Sequence, residues 1–300
     1  MGIGLSRTAQ GYLFAFGGAA FYGIGGVIAK RAFELGIDAS VLAEWRILFG
    51  FLVFLAITVG YRREDLRVRR ADLPQVGLFA LFGVFGVQLI YYQAIQRIPL
   101  GVALVIEYTA PLLILVYWRT RGRRVGPRLW LAAALTLTGC YFVVGAYDAE
   151  LRQVNGLGAV LAAADAFIFA AYFLVAERLV VRYSTWALLT WGFGGSLLAW
   201  AIVRPLWAMP WSSVTGEIAL LILGVVVIAT VVPYLFTVAA VRLIPAARVG
   251  LTATSEPVVA AIAAWLLIGE SLQLPQVLGG AVVIGGILVA QSVRLTPDGV

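Results

Sequence analysis

IPLGVALVIEYTAP, residues 98–111, and IPAARVGLTATSEP, residues 244–257, decide how this chain is read. Both begin with Ile-Pro and reach a second proline twelve residues after the first. Upstream, AIQRIP at 94–99 resembles AVRLIP at 240–245. The offset is 146 residues, and it also pairs Trp45 with Trp191, Ala94 with Ala240, Pro111 with Pro257 and Gly139 with Gly285. A constant offset across several apolar segments predicts an internal repeat; similarity imposed by shared composition is the plainer alternative.

The repeat lies in strongly apolar sequence. Of the 300 residues, 62% are hydrophobic and 12% charged, against about 25% charged in soluble domains, and the mean hydropathy is +0.97. About 20 apolar residues at a rise of ~1.5 Å cross a bilayer. That ruler predicts an all-α membrane protein with ten transmembrane helices, near 10–32, 40–60, 73–95, 99–118, 128–147, 156–178, 185–206, 216–240, 246–268 and 274–293. The first apolar run, Gly11 to Ala29, is long for a cleavable signal core and reads as the first helix. The links are short and leave no room for a soluble domain. Residues 1–147 then form one five-helix copy and 156–300 a second. Five is odd, so the second copy enters the membrane in the opposite direction: two inverted repeats around a central cavity.

The charge, net +7 with a pI near 9.8, does not point to nucleic acid. The arginines cluster between apolar runs, at 62–70 and 119–128, as in cytoplasmic loops. With the N-terminus inside, sixteen of the 22 Lys and Arg face the cytoplasm, five face outward (Lys30, Arg31, Arg97, Arg152, Arg204), and Arg46 lies within span 2. Both termini are therefore expected in the cytoplasm. One cysteine and no histidine exclude a disulfide framework, a His-based metal site and a His proton relay. No metal or cofactor is expected. Cys140, inside an apolar run, is read as a small packed hydrophobe.

Charges at the bilayer centre cost at least ~2.5 kcal/mol on insertion scales. Glu107, Asp165 and Glu256 lie eight to ten residues into their spans. Facing a cavity, they would meet a substrate ammonium or take up a proton, since burial disfavours a carboxylate's charged form. The alternative is structural: they accept hydrogen bonds from neighbouring helices or from backbone freed by Pro111 and Pro257. Gln88 and Tyr234 are equivalent under the offset and sit mid-span. Asp165, Phe169 and Tyr172 are spaced for one helical face. With Tyr22 and Tyr91 these residues are candidate cavity lining, where aromatic rings suit an amino group; packing and interface anchoring are the competing roles for any one tyrosine. Glu44, Arg46 and Arg248 fall nearer the span ends, where snorkelling to the interface is favoured over lining a vestibule. Trp130, Trp207 and Trp211 read as belt residues. Gly-rich GGAAFYGIGG at 17–26, with GG at 279–280 and 285–286, suits close helix approach rather than phosphate binding. Pro99 and Pro245 follow very short links and predict tight hairpins near two gates, with proline in the first turn. Pro111, Pro233 and Pro257 should kink their helices, as gating flex points or as tolerated membrane prolines.

IPLGVALVIEYTAPL at 98–112 and SEPVVAAIAAWLLIGE at 255–270 resemble the drug/metabolite transporter superfamily, specifically its EamA-type branch. The resemblance spans nearly the whole chain, and the first segment is similar to amino-acid exporters of threonine/homoserine and aromatic type. It implies a secondary transporter in the bacterial inner membrane that exports amino acids or related small metabolites by alternating access. Cationic drugs, other metabolites, or a channel are the alternatives. No basic residue lies clearly at the midplane, which disfavours anionic substrates. The lack of a nucleophile, metal site or acid–base pair near a loop argues against an enzyme. No nucleotide-binding motif is present; facilitated diffusion and proton antiport both stay open. The expected partners are a small-molecule substrate and the lipid bilayer, with no nucleic acid; monomer and oligomer both stay open.

Overall fold

The computed structural model describes residues 6–148, 155–269 and 271–293. Arg152, Glu270, Arg294 and both chain ends, which entered the expectations above, lie outside the described residues. Among the described residues the structure is helical. Nine helices are long and apolar enough to cross a membrane: α1 (Arg7–Glu34), α2 (Ala39–Tyr61), α3 (Arg70–Ile95), α4 (Leu100–Thr120), α6 (Gly156–Leu179), α7 (Thr185–Val203), α8 (Gly216–Leu243), α9 (Ala246–Ile268) and α10 (Leu274–Ser292). Between α4 and α6 lies α5 (Pro127–Val143), only 17 residues long. The sequence ruler carried this span to 147. The helix stops sooner because Gly145 adopts φ +72 and takes the chain out of helical register.

Local chemistry explains the boundaries. Ser6, Asp38, Asn155, Ser184 and Thr215 each cap a helix, accepting backbone N–H groups of the first turn. Gln273 and Gln276 cap α10 reciprocally. Gly269, at φ +72, ends α9. Pro99 and Pro245 differ slightly from expectation. Each is the capping residue just before the first helical turn, not within it, so its carbonyl opens the helix.

The 146-residue offset reappears in the backbone. Helix α3 widens to i→i+5 hydrogen bonding over Leu81–Gly86, and α8 does so over Val227–Val231. Helix α4 is interrupted between Glu107 and Ala110, and α9 between Ala253 and Glu256. Both interruptions precede a proline. Pro111 and Pro257 carry no N–H, so the helical partner of the carbonyl four residues back is missing. Beside each break a hydroxyl turns back on the preceding turn: Thr109 donates to the Ile106 carbonyl (2.6 Å), and Ser255 to the Thr252 carbonyl (2.7 Å).

Packing is reciprocal too. Helix α1 lies along α8 and α9, and its counterpart α6 lies along α3 and α4. Helices α2 and α7 pack on each other, as do α5 and α10. Small residues set the closest approaches: a Cβ on Gly25 would meet Ala229, and one on Gly139 would meet the Gly279 carbonyl at 2.6 Å. Leucine, isoleucine and valine cover much of the outer face, with Leu198, Ile202 and Leu220 at least 72% exposed. An exterior of this kind is satisfied by lipid. This is a multi-pass membrane protein. Cys140 is buried and unpaired.

The links gather at two ends. At the arginine-rich end, Asp72 accepts from Arg182 (2.7 Å) and Tyr183 (2.6 Å), Arg242 donates to the Tyr183 carbonyl, and Trp191 donates to Leu66 (3.1 Å). At the opposite end Arg204 donates to Ser40 (3.2 Å) and lies 3.7 Å from Glu44, while Arg31 bridges Glu34 and Glu217. Of the presumed belt residues, Trp207 and Trp211 are exposed in the α7–α8 link, whereas Trp130 packs partly against the core.

Candidate functional site

A cavity of about 160 Å³ lies between the two copies, at the level of the wide turns and the helix breaks. Seven of the eight expected lining residues are in its wall: Tyr22, Gln88, Tyr91, Glu107, Tyr172, Tyr234 and Glu256. They come from six helices and meet only because the packing is reciprocal. Glu107 is the last residue before the α4 break, and Glu256 is the first after the α9 break. The two breaks thus deliver two carboxylates to one space, from opposite sides of equivalent interruptions.

Asp165 is the exception. It shares a face with Phe169 and Tyr172, which stack at 6.2 Å and both line the cavity. Asp165 itself lies one turn farther along α6, outside the lining and 1% exposed. Neither of its carboxylate oxygens finds a hydrogen-bond partner. Helical spacing places a residue on a face; it does not say where along that face the cavity ends.

Arg46 is the residue the sequence misjudged. Its position eight residues into α2 suggested a side chain reaching for the interface. Instead it enters the cavity wall. Its Nε donates to the Thr230 hydroxyl (2.9 Å) and its Nη2 to the Ala229 carbonyl (2.7 Å). Both acceptors sit halfway along α8, in its wide turn. The reason lies in Pro233: in an α-helix the Ala229 carbonyl would accept from residue 233, which has no N–H. Arg46 supplies the missing donor.

The other wide turn has the matching arrangement. Tyr234 donates to the Gly83 carbonyl (3.2 Å). Gly83 and Ala229 are 146 residues apart, so each copy's wide turn frees one equivalent carbonyl and a side chain of the other copy takes it. Tyr234 also packs edge-on against Tyr22 and Phe193. Its equivalent, Gln88, reaches the same space; its amide comes near the Tyr234 hydroxyl without a well-formed hydrogen bond. Tyr108 lines the same wall as Glu256.

Glu44 and Arg248 do not snorkel either. Both are fully buried. Arg248 donates to the Tyr12 hydroxyl (3.3 Å) and the Val293 carbonyl (2.8 Å), tying α9 to α1 and α10 at the arginine-rich end. These residues lie at helix ends, as expected, but other helices cover those ends and leave no route to water. Pro111, Pro233 and Pro257 stand at the breaks and the wide turn; Pro99 and Pro245 cap the halves of α4 and α9 that lead to them.

No cluster of His, Cys, Asp and Glu with metal-binding geometry occurs among the described residues. Chemically, the site offers one guanidinium, two carboxylates, an amide and several phenols, in a largely apolar frame.

Comparison with known proteins agrees with this architecture. A solved crystal structure superposes with a TM-score of 0.80 over 93% of this chain and 96% of that one, at 19% identity, which speaks for the fold alone. The threonine/homoserine exporter RhtA of Salmonella typhimurium strain LT2 is 27% identical over 262 residues, 87% of this chain and 84% of that protein. RhtA of Escherichia coli K12 is 26% identical over 273 residues, covering 90% and 88% of the two chains. The inner membrane transporter YicL of Salmonella typhimurium LT2 is 24% identical over 294 residues, covering 95% and 96%. The EamA-like transporter family matches twice, at residues 9–145 and 156–291. With both copies matched, the chain belongs to the EamA-like transporter family.

Proposed function

We propose that this transporter exports amino acids or related small zwitterions by alternating access through the central cavity. The observation that carries the reading is the gathering of opposite charges in one lining: Arg46 with Glu107 and Glu256, among Tyr22, Tyr91, Tyr172 and Tyr234. A zwitterion carries both complementary charges. Its ammonium would meet a carboxylate and an aromatic face, and its carboxylate would meet the guanidinium or the phenols. The volume favours a small solute: about 160 Å³ equals roughly five waters at ~30 Å³ each, below the ~300 Å³ where drug-sized pockets begin. The names of the RhtA relatives point the same way.

The mechanism uses the repeat. The two five-helix copies, about 1–147 and 156–300, lie inverted, so each conformation of one copy has a counterpart in the other, open to the opposite side. The equivalent breaks in α4 and α9, and the wide turns in α3 and α8, are the flexing points. Pro99 and Pro245 mark the two gates. Both termini lie in the cytoplasm and α5 crosses the membrane as a short tenth span. The chain performs no covalent chemistry.

Export of organic cations is the second reading, and the two carboxylates favour it. Arg46 opposes it, because a guanidinium in the same cavity repels a cation. Counterflow in proteoliposomes, with labelled amino acids and one cationic dye, separates the two. Saturable exchange of an amino acid that its unlabelled form inhibits is expected. Dye exchange without any amino-acid exchange would reverse the assignment, and flux that never saturates would indicate a channel.

A further inference from the structure

A second cleft, of about 640 Å³, opens at the arginine-rich end between α3, α4 and α6. It is separate from the central cavity and borders the links that clasp that end. Three arginines converge on it. The Arg121 guanidinium lies 5.4 Å from the centre of the Tyr117 ring, and that of Arg123 lies 5.4 Å from the Trp118 ring. Arg178 donates to the Tyr117 hydroxyl at 2.6 Å. None of the three forms an ion pair among the described residues, unlike Arg182 at the edge of the cleft, which is held by Asp72. Glu177 also lines the cleft; one of its oxygens accepts the Ala246 N–H (3.1 Å) across the bundle, and its charge stands near Arg123 and Arg178 and offsets one of the three positive charges.

We propose that this cleft holds the phosphate of an anionic phospholipid headgroup. Three like charges gathered on two rings repel one another, and a phosphate among them converts that repulsion into charge-assisted hydrogen bonds of a geometry guanidinium groups favour. The depth fits a lipid. Tyr117 and Trp118 occupy the last turn of α4, which ends at Thr120, and the arginines follow at once. Aromatic and basic residues at such a helix end stand at headgroup level. The wall distinguishes a lipid from a free phosphate compound. Leu174 and Val181 line the same cleft, and Val181 is 82% exposed. An apolar rim beside a phosphate site suits a ligand with a glycerol and acyl part, and offers a soluble phosphate nothing.

Native mass spectrometry of the full chain in detergent tests this with phosphatidylglycerol, phosphatidylcholine and inorganic phosphate as probes. Phosphatidylglycerol adducts are expected to survive where phosphatidylcholine adducts do not, and to withstand added inorganic phosphate. The triple variant Arg121→Gln, Arg123→Gln, Arg178→Gln should bind phosphatidylglycerol roughly a hundredfold more weakly, on the order of fivefold per arginine. Each single variant should show a graded part of that loss, which keeps the test valid if the triple variant folds poorly. The control Arg63→Gln, Arg67→Gln, Arg70→Gln removes three exposed arginines from the same end and should bind nearly as the parent does. Equal loss in the control would reduce the effect to general surface charge and overturn the site. So would equal retention of phosphatidylcholine. Displacement by inorganic phosphate would give the cleft to a soluble anion and overturn the lipid assignment.

Discussion

Arg46 joins the stability of this protein to its chemistry. The guanidinium completes the hydrogen bonding of a carbonyl that Pro233 leaves without a donor, and it contributes the cation of the central cavity. Arg46→Gln is expected to destabilise the protein by about 1–3 kcal/mol, because a buried carbonyl loses its partner. Thermal unfolding in detergent measures this. If Pro233 is the cause, Pro233→Ala restores an N–H near the same carbonyl, and the pair Arg46→Gln with Pro233→Ala should be less harmful than the two single effects combined, with a coupling of at least ~0.5 kcal/mol. Strict additivity would break the link between the two residues. Glu107→Gln and Glu256→Gln, which remove the cavity carboxylates, should abolish amino-acid exchange in proteoliposomes while leaving unfolding within about 0.5 kcal/mol of the parent. Retained exchange in both variants would rule out the carboxylates as ammonium ligands.

At the scale of the element, helix ends and helix interruptions follow one logic: each backbone group must find a partner or face water. Asp38 shows this at the start of α2. The Ser40 hydroxyl, and then the N–H groups of Ser40 and Val41, hold its carboxyl below the ordinary carboxylate range. A depressed folded value means that the stabilisation is present above the unfolded pKa and lost as pH falls through the folded one. Asp38→Ala should therefore cost about 1 kcal/mol at neutral pH, with the difference from the parent shrinking below pH ~4. Unfolding curves of both proteins at neutral and acid pH check the sign. The interruptions at Pro111 and Pro257 were legible as prolines within spans, and their equivalence followed from the offset. The wide turns were not legible. Leu81–Gly86 contains no proline, and nothing in LFGVFG announces i→i+5 hydrogen bonding until Tyr234 arrives from the other copy to take the Gly83 carbonyl.

Across the whole molecule, equivalence in sequence and equivalence in packing are separate matters. Gly139 and Gly285 are partners under the offset. A Cβ on Gly139 would strike the Gly279 carbonyl at 2.6 Å and the Val283 nitrogen at 2.7 Å, whereas one on Gly285 would meet nothing within 4 Å. Gly139→Ala should thus destabilise by on the order of 1–3 kcal/mol, and Gly285→Ala should stay within about 0.5 kcal/mol of the parent. Comparable melting shifts for both would refute the α5–α10 contact. Trp45 and Trp191 diverge likewise: the first is fully buried, and the second is 40% exposed and bonded to Leu66. Orientation is also a property of the whole. A fluorescent protein fused after Val300 should mature in the cytoplasm, and a periplasmic phosphatase fused there should stay inactive; the reverse pattern would invert the proposed topology.

Composition and the offset by themselves determined the membrane class, the two copies, nearly every helix boundary to within a few residues, and seven residues of the cavity wall. These features depend on local physics: apolar length against bilayer thickness, caps, and prolines that cannot donate. Tertiary structure decided what Arg46, Asp165, Glu44 and Arg248 do. A sequence records how deep a Cα lies, but the destination of a long charged side chain depends on which distant backbone atom lacks a partner. For Arg46 that atom is the carbonyl of Ala229, 183 residues away along the chain.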